Sequence, residues 1–245
     1  MEITLAAEPI FRLGDLVVTN AMLTSTLVVL VLSLVAVAYR RVLSMDSPGR
    51  FQALVEWVLG FVLNLCEQTA GQRLGRRIFP LVATFFIFIL SANWIGLLPG
   101  FGTITVHNYE GHEVPLFRAA NSDLNMTLAM AVISITTVQV LGISAHGIGG
   151  YLKEIFTPVF LGPIHIVGEL SHIVSLSGRL FGNIFGGEVL LIVMYSLMPY
   201  IAPAFFLGLE VLFGFIQALI FTVLSVVYIT LAAGTGSEVE ASHAH

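Results

Sequence analysis

The chain reads as an all-α membrane protein: five transmembrane helices plus one amphipathic interfacial helix. Two observations predict that class. Of 245 residues, 57% are hydrophobic and 10% charged, with a mean hydropathy of +0.95, whereas soluble domains carry ~25% charged residues. The apolar runs are also long and numerous, and a bilayer core takes ~20 residues per helix. A signal peptide followed by a globular domain is excluded, since no basic stretch precedes the first run. With 10 Lys+Arg against 15 Asp+Glu, no basic surface for nucleic acid exists. Cys66 is the single cysteine, so no intrachain disulfide or cysteine metal cluster is expected. The seven histidines show no metal-binding spacing, and His243 and His245 read as a solvated tail. No metal and no cofactor are expected.

Each element follows from the order of residues. After an external N-terminus over 1–15, the first span covers 16–39 and ends at Arg40-Arg41. The second covers 78–98, with Trp94 near its far end, where aromatic belts lie. The third covers 124–144, with Asp123 and Asn125 at its entrance. The apolar stretch from Pro163 onward is long enough for two helices, 163–198 and 201–233, broken at Met198-Pro199-Tyr200. A cytoplasmic tail, 234–245, follows. We see no soluble domain, low-complexity tract or repeat.

The segment 51–70 differs. Gln52, Glu56, Gly60, Asn64 and Glu67 fall on one helical stripe. It could span the membrane or lie in the interface. Arg40, Arg41 and Arg50 precede it, and Arg73, Arg76 and Arg77 follow it. A flat helix keeps all six on one side, which agrees with the cytoplasmic bias of arginine. Five spans then place the N-terminus outside and the C-terminus in the cytoplasm. Cytoplasmic segments carry those arginines plus Lys153, and external ones only Arg12 and Arg118.

Between Pro163 and Pro199 the formal charges are Arg179, Glu169 and Glu188. An arginine stays protonated, and holding it in lipid costs at least ~2.5–3.5 kcal/mol. Steps of three and four place His172, Ser175, Arg179 and Asn183 on one face, beside the small residues Gly182, Gly186 and Gly187. Glu188 lies about half a turn round from Arg179 and ~13 Å along the axis, so the two form no simple intrahelical pair. In the final helix Glu210 and Gln217 stand out. If the chain reverses at Pro199, Glu188 and Glu210 are each eleven residues from the turn and share a level. Gln217 falls within about a turn of the depth of Arg179. Two nearby carboxylates in low dielectric do not both stay ionised, which suits proton uptake and release.

Simpler readings stand beside these. Arg179 could pair with Glu169 or a lipid phosphate. The two glutamates could sit in interfacial water, and Gln217 could bond a neighbouring helix. His172 could be a packing residue, and His165 has no nameable partner. Asp123 and Asn125 could cap their helix or line a channel. Glu56 and Glu67 read as a solvated face.

The string Ser175-Leu176-Ser177-Gly178-Arg179-Leu180-Phe181-Gly182-Asn183, followed by Gly186-Gly187-Glu188, closely resembles the signature of subunit a of F-type ATP synthases. Gln217-Ala218-Leu219-Ile220-Phe221 with Val227-Tyr228 resembles that family's last helix. Asn93-Trp94-Ile95-Gly96-Leu97-Leu98-Pro99-Gly100 and Ser122-Asp123-Leu124-Asn125 resemble its third and fourth helices. The likeness runs from about Phe51 to Ala233 in the family's order. It implies a non-catalytic channel subunit of a bacterial plasma (inner) membrane, with ATP chemistry on other subunits. Its implied partners are a c-subunit ring, peripheral-stalk b subunits, other synthase subunits, membrane lipid and protons. It further implies a long C-terminal helical hairpin facing the c-ring and two half-channels meeting at Arg179. By the resemblance, Glu188, Glu210, Asn183 and Gln217 serve proton translocation. Glu169 matches an acidic position on the cytoplasmic route, and His172, Ser175, Asp123 and Asn125 are possible channel lining. Two departures stand out: His172-Ile173 replaces a common Lys-Pro, and a position that is histidine in many relatives is glutamate here.

The competing class is a secondary transporter whose Arg179 binds an anionic substrate. Such proteins often show repeats and interrupted helices in matched positions, and neither is visible here. A scaffold protein would not need an arginine and two carboxylates in its core. An intramembrane protease would need a His-Glu-x-x-His, Gly-x-Ser-x-Gly or paired-aspartate motif, and none is present.

Overall fold

The computed structural model describes residues 7–43, 49–98, 101, 104–108, 111–156, 161–199 and 201–234. Expectations for the first six residues, for Pro99, Gly100 and Tyr200, for the Lys153 side chain and for the 235–245 tail lie outside the described residues. Five helices are long and apolar enough to cross a membrane, so the chain is a multi-pass, mainly helical membrane protein. They are α1 (Asn20–Val42), α2 (Arg50–Gly96), α3 (Leu124–Phe156), α4 (Leu161–Leu197) and α5 (Ile201–Ala232). The described residues also form two small antiparallel hairpins that the apolar pattern does not reveal: β1 (Pro9–Leu13) with β2 (Leu16–Thr19) before α1, and β3 (Thr105–His107) with β4 (Glu113–Pro115) between α2 and α3. Both α2 and α3 contain a glycine with left-handed backbone, Gly71 (φ 74°) and Gly147 (φ 72°). Only glycine adopts this without strain, and at each the helix axis breaks.

The chain forms two compact units. The first holds Met1–Pro48, Ile87–Thr127 and Gly178–Ala218. Its helix α1 starts at Asn20, later than the residue-16 start expected, because Leu16–Thr19 pairs as a strand. Thr19 caps it, accepting from the Met22 amide at 3.3 Å. The fully buried Asn20 accepts from the Glu8 and Ala21 amides and donates to the Pro115 carbonyl. It thereby ties the residues before β1, the helix start and the loop ahead of α3 together. Val28, Ala92 and Ala120 form a buried cluster with Leu32, Phe88 and Ile95 around it. Gly96 is required there: a Cβ on it would stand 2.7 Å from the Ala119 Cβ.

The second unit holds Gly49–Phe86, Leu128–Ser177 and Leu219–His245. Within it, α2 doubles back at Gly71. A Cβ on Gly75 would lie 2.7 Å from the Cys66 carbonyl oxygen, and the Phe61 and Phe86 rings are 6.2 Å apart. Twenty-five residues of straight helix would separate those rings by ~37 Å. Arg76 closes the turn on Glu67 at 2.6 Å. The 50–70 limb has three sides: Val62, Cys66 and Ala70 are buried, Phe51, Leu54, Trp57 and Phe61 are exposed, and Glu56 and Asn64 lie on a polar side. Elsewhere in this unit Ser134 bonds Ser225 at 2.8 Å, Phe85 meets Phe221 edge-on, and Tyr151 donates to Gln139.

Candidate functional site

In the first unit, α4 and α5 lie side by side around two carboxylates. A Cβ placed on Gly187 would run into the Glu210 Oε1, so glycine is what lets that carboxylate reach α4. Glu188 stands within electrostatic range of Glu210. Equal distance from Pro199 along the chain sets these two glutamates level, and the Glu210 carboxylate lies against the residue next to Glu188. Their surroundings differ. Glu188 accepts from Arg118, with Nε 3.3 Å from Oε2. The Glu210 Oε2 is buried and has no hydrogen-bond partner among the described residues.

The sequence marks Arg118 only as an external charge. Its side chain is 6% exposed, and its guanidinium also lies 5.7 Å from the centre of the Phe185 ring. Phe185 and Glu188 are three residues apart, so one face of α4 offers Arg118 both a ring and a carboxylate.

Arg179 lies on the same helix and differs in every respect. It is exposed, and among the described residues no side chain forms a hydrogen bond or ion pair with it. Gly178, Gly182 and Gly186 beside it are open: a Cβ added at any of them would meet no heavy atom within 4 Å. Asn183 is half-buried, and Gln217 is buried with no partner for its Nε2 among the described residues. No hydrogen bond joins either to Arg179 among the described residues. The base of α5 is fixed by Asn93, which donates to the Gly214 carbonyl at 2.9 Å and accepts from Asn121 at 2.7 Å. Trp94 donates to the Val211 carbonyl at 3.1 Å.

Asp123 is buried and accepts from the Asn125 amide at 2.9 Å and the Asn125 side chain at 3.2 Å. This is capping geometry at the start of α3. In the second unit, Glu169 faces His165 at 3.7 Å, so His165 has a neighbour that the sequence pattern does not name. Both line a cavity of about 320 Å³ with Ile135, Gln139, Ile166, Leu170 and Ile173. The Glu169 Oε2 is buried without a partner among the described residues. His172 stacks on Tyr228 at 4.2 Å, and Ser175 is exposed. No group of three or more metal-ligating side chains occurs among the described residues.

The family described as ATP synthase A chain matches residues 21–230. The chain belongs to that family. It is 37% identical over 221 residues to ATP synthase subunit a of Moorella thermoacetica, covering 90% of this chain and 93% of that one. It is 38% identical over 208 residues to ATP synthase subunit a 1 of Syntrophotalea carbinolica, covering 83% and 81%. Against ATP synthase subunit a of Citrifermentans bemidjiense the identity is 37% over 187 residues, or 74% of each chain. As an ATP synthase A chain, this protein carries Arg179 and its two close carboxylates within the matched region.

Proposed function

We propose that this ATP synthase A chain is the stationary proton-translocating subunit of a rotary F-type ATP synthase. It is non-catalytic, and ATP chemistry belongs to other subunits. The observation that carries the reading is Arg179: a permanent cation, exposed on an apolar helix, with no partner among the described residues and open glycines beside it. A charge so placed is unsatisfied within the chain and faces a partner outside it. The glycines let another helix approach closely. A carboxylate on each subunit of a c-ring is the partner that fits. Arg179 holds that carboxylate ionised as it passes and blocks direct proton leak between two half-channels.

Glu188 and Glu210, with Asn183 and Gln217, serve the path on one side of Arg179. The cavity beside Glu169 and His165 serves the cytoplasmic route. His172 and Ser175 are proposed to line that route as well. Asp123 and Asn125 act through the helix cap they build. The 51–70 limb is proposed to lie along the cytoplasmic interface: its exposed Phe51, Leu54, Trp57 and Phe61 face lipid, and its Glu56 and Asn64 face water. The N-terminus is then outside and the C-terminus cytoplasmic, with the first span beginning at Asn20 rather than at residue 16. Peripheral-stalk b subunits complete the stationary side.

The test replaces Arg179 with Gln or Ala in the assembled complex and measures ATP-driven acidification of inverted membrane vesicles. Coupled pumping should fall to background with the subunit still assembled. Undiminished pumping would sink the reading.

A further inference from the structure

The two carboxylates beside Gly187 are not equivalent, and the difference comes from the external loop. Arg118 is held in place by its neighbours: its amide donates to the Thr24 Oγ1 at 3.3 Å, and Ala119 packs against Gly96. Its guanidinium is almost fully withdrawn from solvent and meets Glu188 and Phe185. Buried arginine does not give up its proton, so its stable counterpart is an ionised carboxylate with a charge-assisted bond. Glu188 fills that place. Arg118, Glu188 and Glu210 come together here. These three groups sum to one net negative charge with both glutamates ionised and to zero with one proton. The Glu210 Oε2, buried and unpartnered among the described residues, is where that proton sits without breaking a bond.

We propose that Arg118 is a positioning residue that locks Glu188 as a fixed counter-charge and leaves Glu210 as the carboxyl that carries the proton. Each passage adds one proton to a Glu210 oxygen and removes it again, and Arg118 and Glu188 keep their charges throughout. This rests on the proton-translocating reading and assigns different roles to two residues that the reading treats alike.

The experiment uses the whole ATP synthase in inverted vesicles, with assembled subunit quantified by immunoblot. Arg118→Gln takes the cation away from the half-buried Glu188, and Glu188→Gln takes this carboxylate away from the buried Arg118, so each should lower ATP-driven pumping roughly tenfold. The double variant Arg118→Gln/Glu188→Gln removes both charges and should recover to within about threefold of wild type. Glu210→Gln should abolish pumping in every background. A double variant that assembles and pumps no better than either single one overturns the proposal, as does retained pumping in Glu210→Gln. A second measurement needs no variant. Dicyclohexylcarbodiimide adds to protonated carboxyl groups and leaves a stable N-acylurea that peptide mass spectrometry locates. In the wild-type complex it should modify Glu210 and spare Glu188. In Arg118→Gln, Glu188 should become reactive, whereas a bond serving only to tie loop to helix would leave the labelling pattern unchanged. Equal labelling of both glutamates in the wild type overturns the proposal. Arg179→Gln run alongside separates the failures: if it pumps normally, the channel reading itself fails. If it is inactive and the Arg118 pattern is absent, this inference alone fails.

Discussion

Two arginines in the first unit solve the same problem in opposite ways. Arg118 is 6% exposed, bonded to Glu188 and packed over Phe185. Arg179 is exposed, with none of its five donors engaged by a described side chain. An uncompensated charge out of water is costly, so a buried arginine must bring its own counter-ion. Arg118 does so within the chain. Arg179 has none among the described residues: Gly178 and Gly182 beside it offer room, and Ser175 and Asn183 on its face carry no charge. One arginine is tied into the fold, and the other is, on the reading proposed above, kept for a partner outside it.

The largest expected effect comes from making Arg179 resemble Arg118. Asn183 is one helical turn from Arg179, and Asn183→Asp would supply an internal carboxylate. A bond between charged groups is worth about 1.5–3 kcal/mol, which corresponds to a tenfold or greater loss. ATP-driven pumping in vesicles should fall by at least that factor. Wild-type pumping in the variant would mean that Arg179 need not be free. Next in size is Gly182→Leu. Nothing lies within 4 Å of an added Cβ at that position, so the subunit should fold and assemble in near-normal amount. Pumping should still drop several-fold, because the face offered to a neighbouring helix is no longer smooth. If amount and pumping fall together, that face is internal packing and the contrast between the arginines weakens.

How legible all this is in the residues varies with the physics. Arg179 announces itself because a permanent charge in an apolar run has few explanations. The level of Glu188 and Glu210 follows from counting outward from Pro199, since helix rise is regular on both sides of a turn. The two small hairpins are not legible. Leu16-Val17-Val18 continues smoothly into the apolar run of α1, and hydrophobicity alone does not separate a strand from a helix there. The Thr19-Asn20 pair, a good helix start, is the available signal. The partner of Glu188 is hidden for another reason. Arg118 is 70 residues away in sequence, so only the folded loop brings it near. The clue is that Glu188 needs a cation and that the sequence reading assigns only Arg12 and Arg118 to its side of the membrane. The reversal at Gly71 is visible only as a gap between two helical segments.

A smaller effect tests how tightly the carboxylate pair is fitted. A methyl group at Gly187 would occupy the place of the Glu210 Oε1. Gly187→Ala should therefore displace that carboxylate and lower pumping several-fold, since small misplacements of a reacting group are costly. Shortening the displaced side chain with Glu210→Asp in the same background should return part of the loss. Failure of the second change to help would show that the clash is relieved elsewhere, and that Glu210 does not depend on its seat against α4.

The smallest effect should appear in stability rather than transport. Asn93 joins two elements of the first unit, donating to the Gly214 carbonyl and accepting from Asn121. It is buried, with 1% of its surface exposed, so water cannot replace either bond cheaply. Asn93→Ala leaves the buried Asn121 amide without this acceptor and removes the second bond to the Gly214 carbonyl, and a buried group left alone costs ~1–3 kcal/mol. The seat of α5 beneath Glu210 would loosen, yet no charged group would move into or out of contact with another. The expected result is a lower temperature of aggregation for the purified complex, with pumping per assembled complex close to normal at growth temperature. A variant of normal thermal stability that pumps poorly would place Asn93 with the proton-carrying residues instead. The division would then lie between polar groups that reach the path and those that do not, rather than between fold and partner.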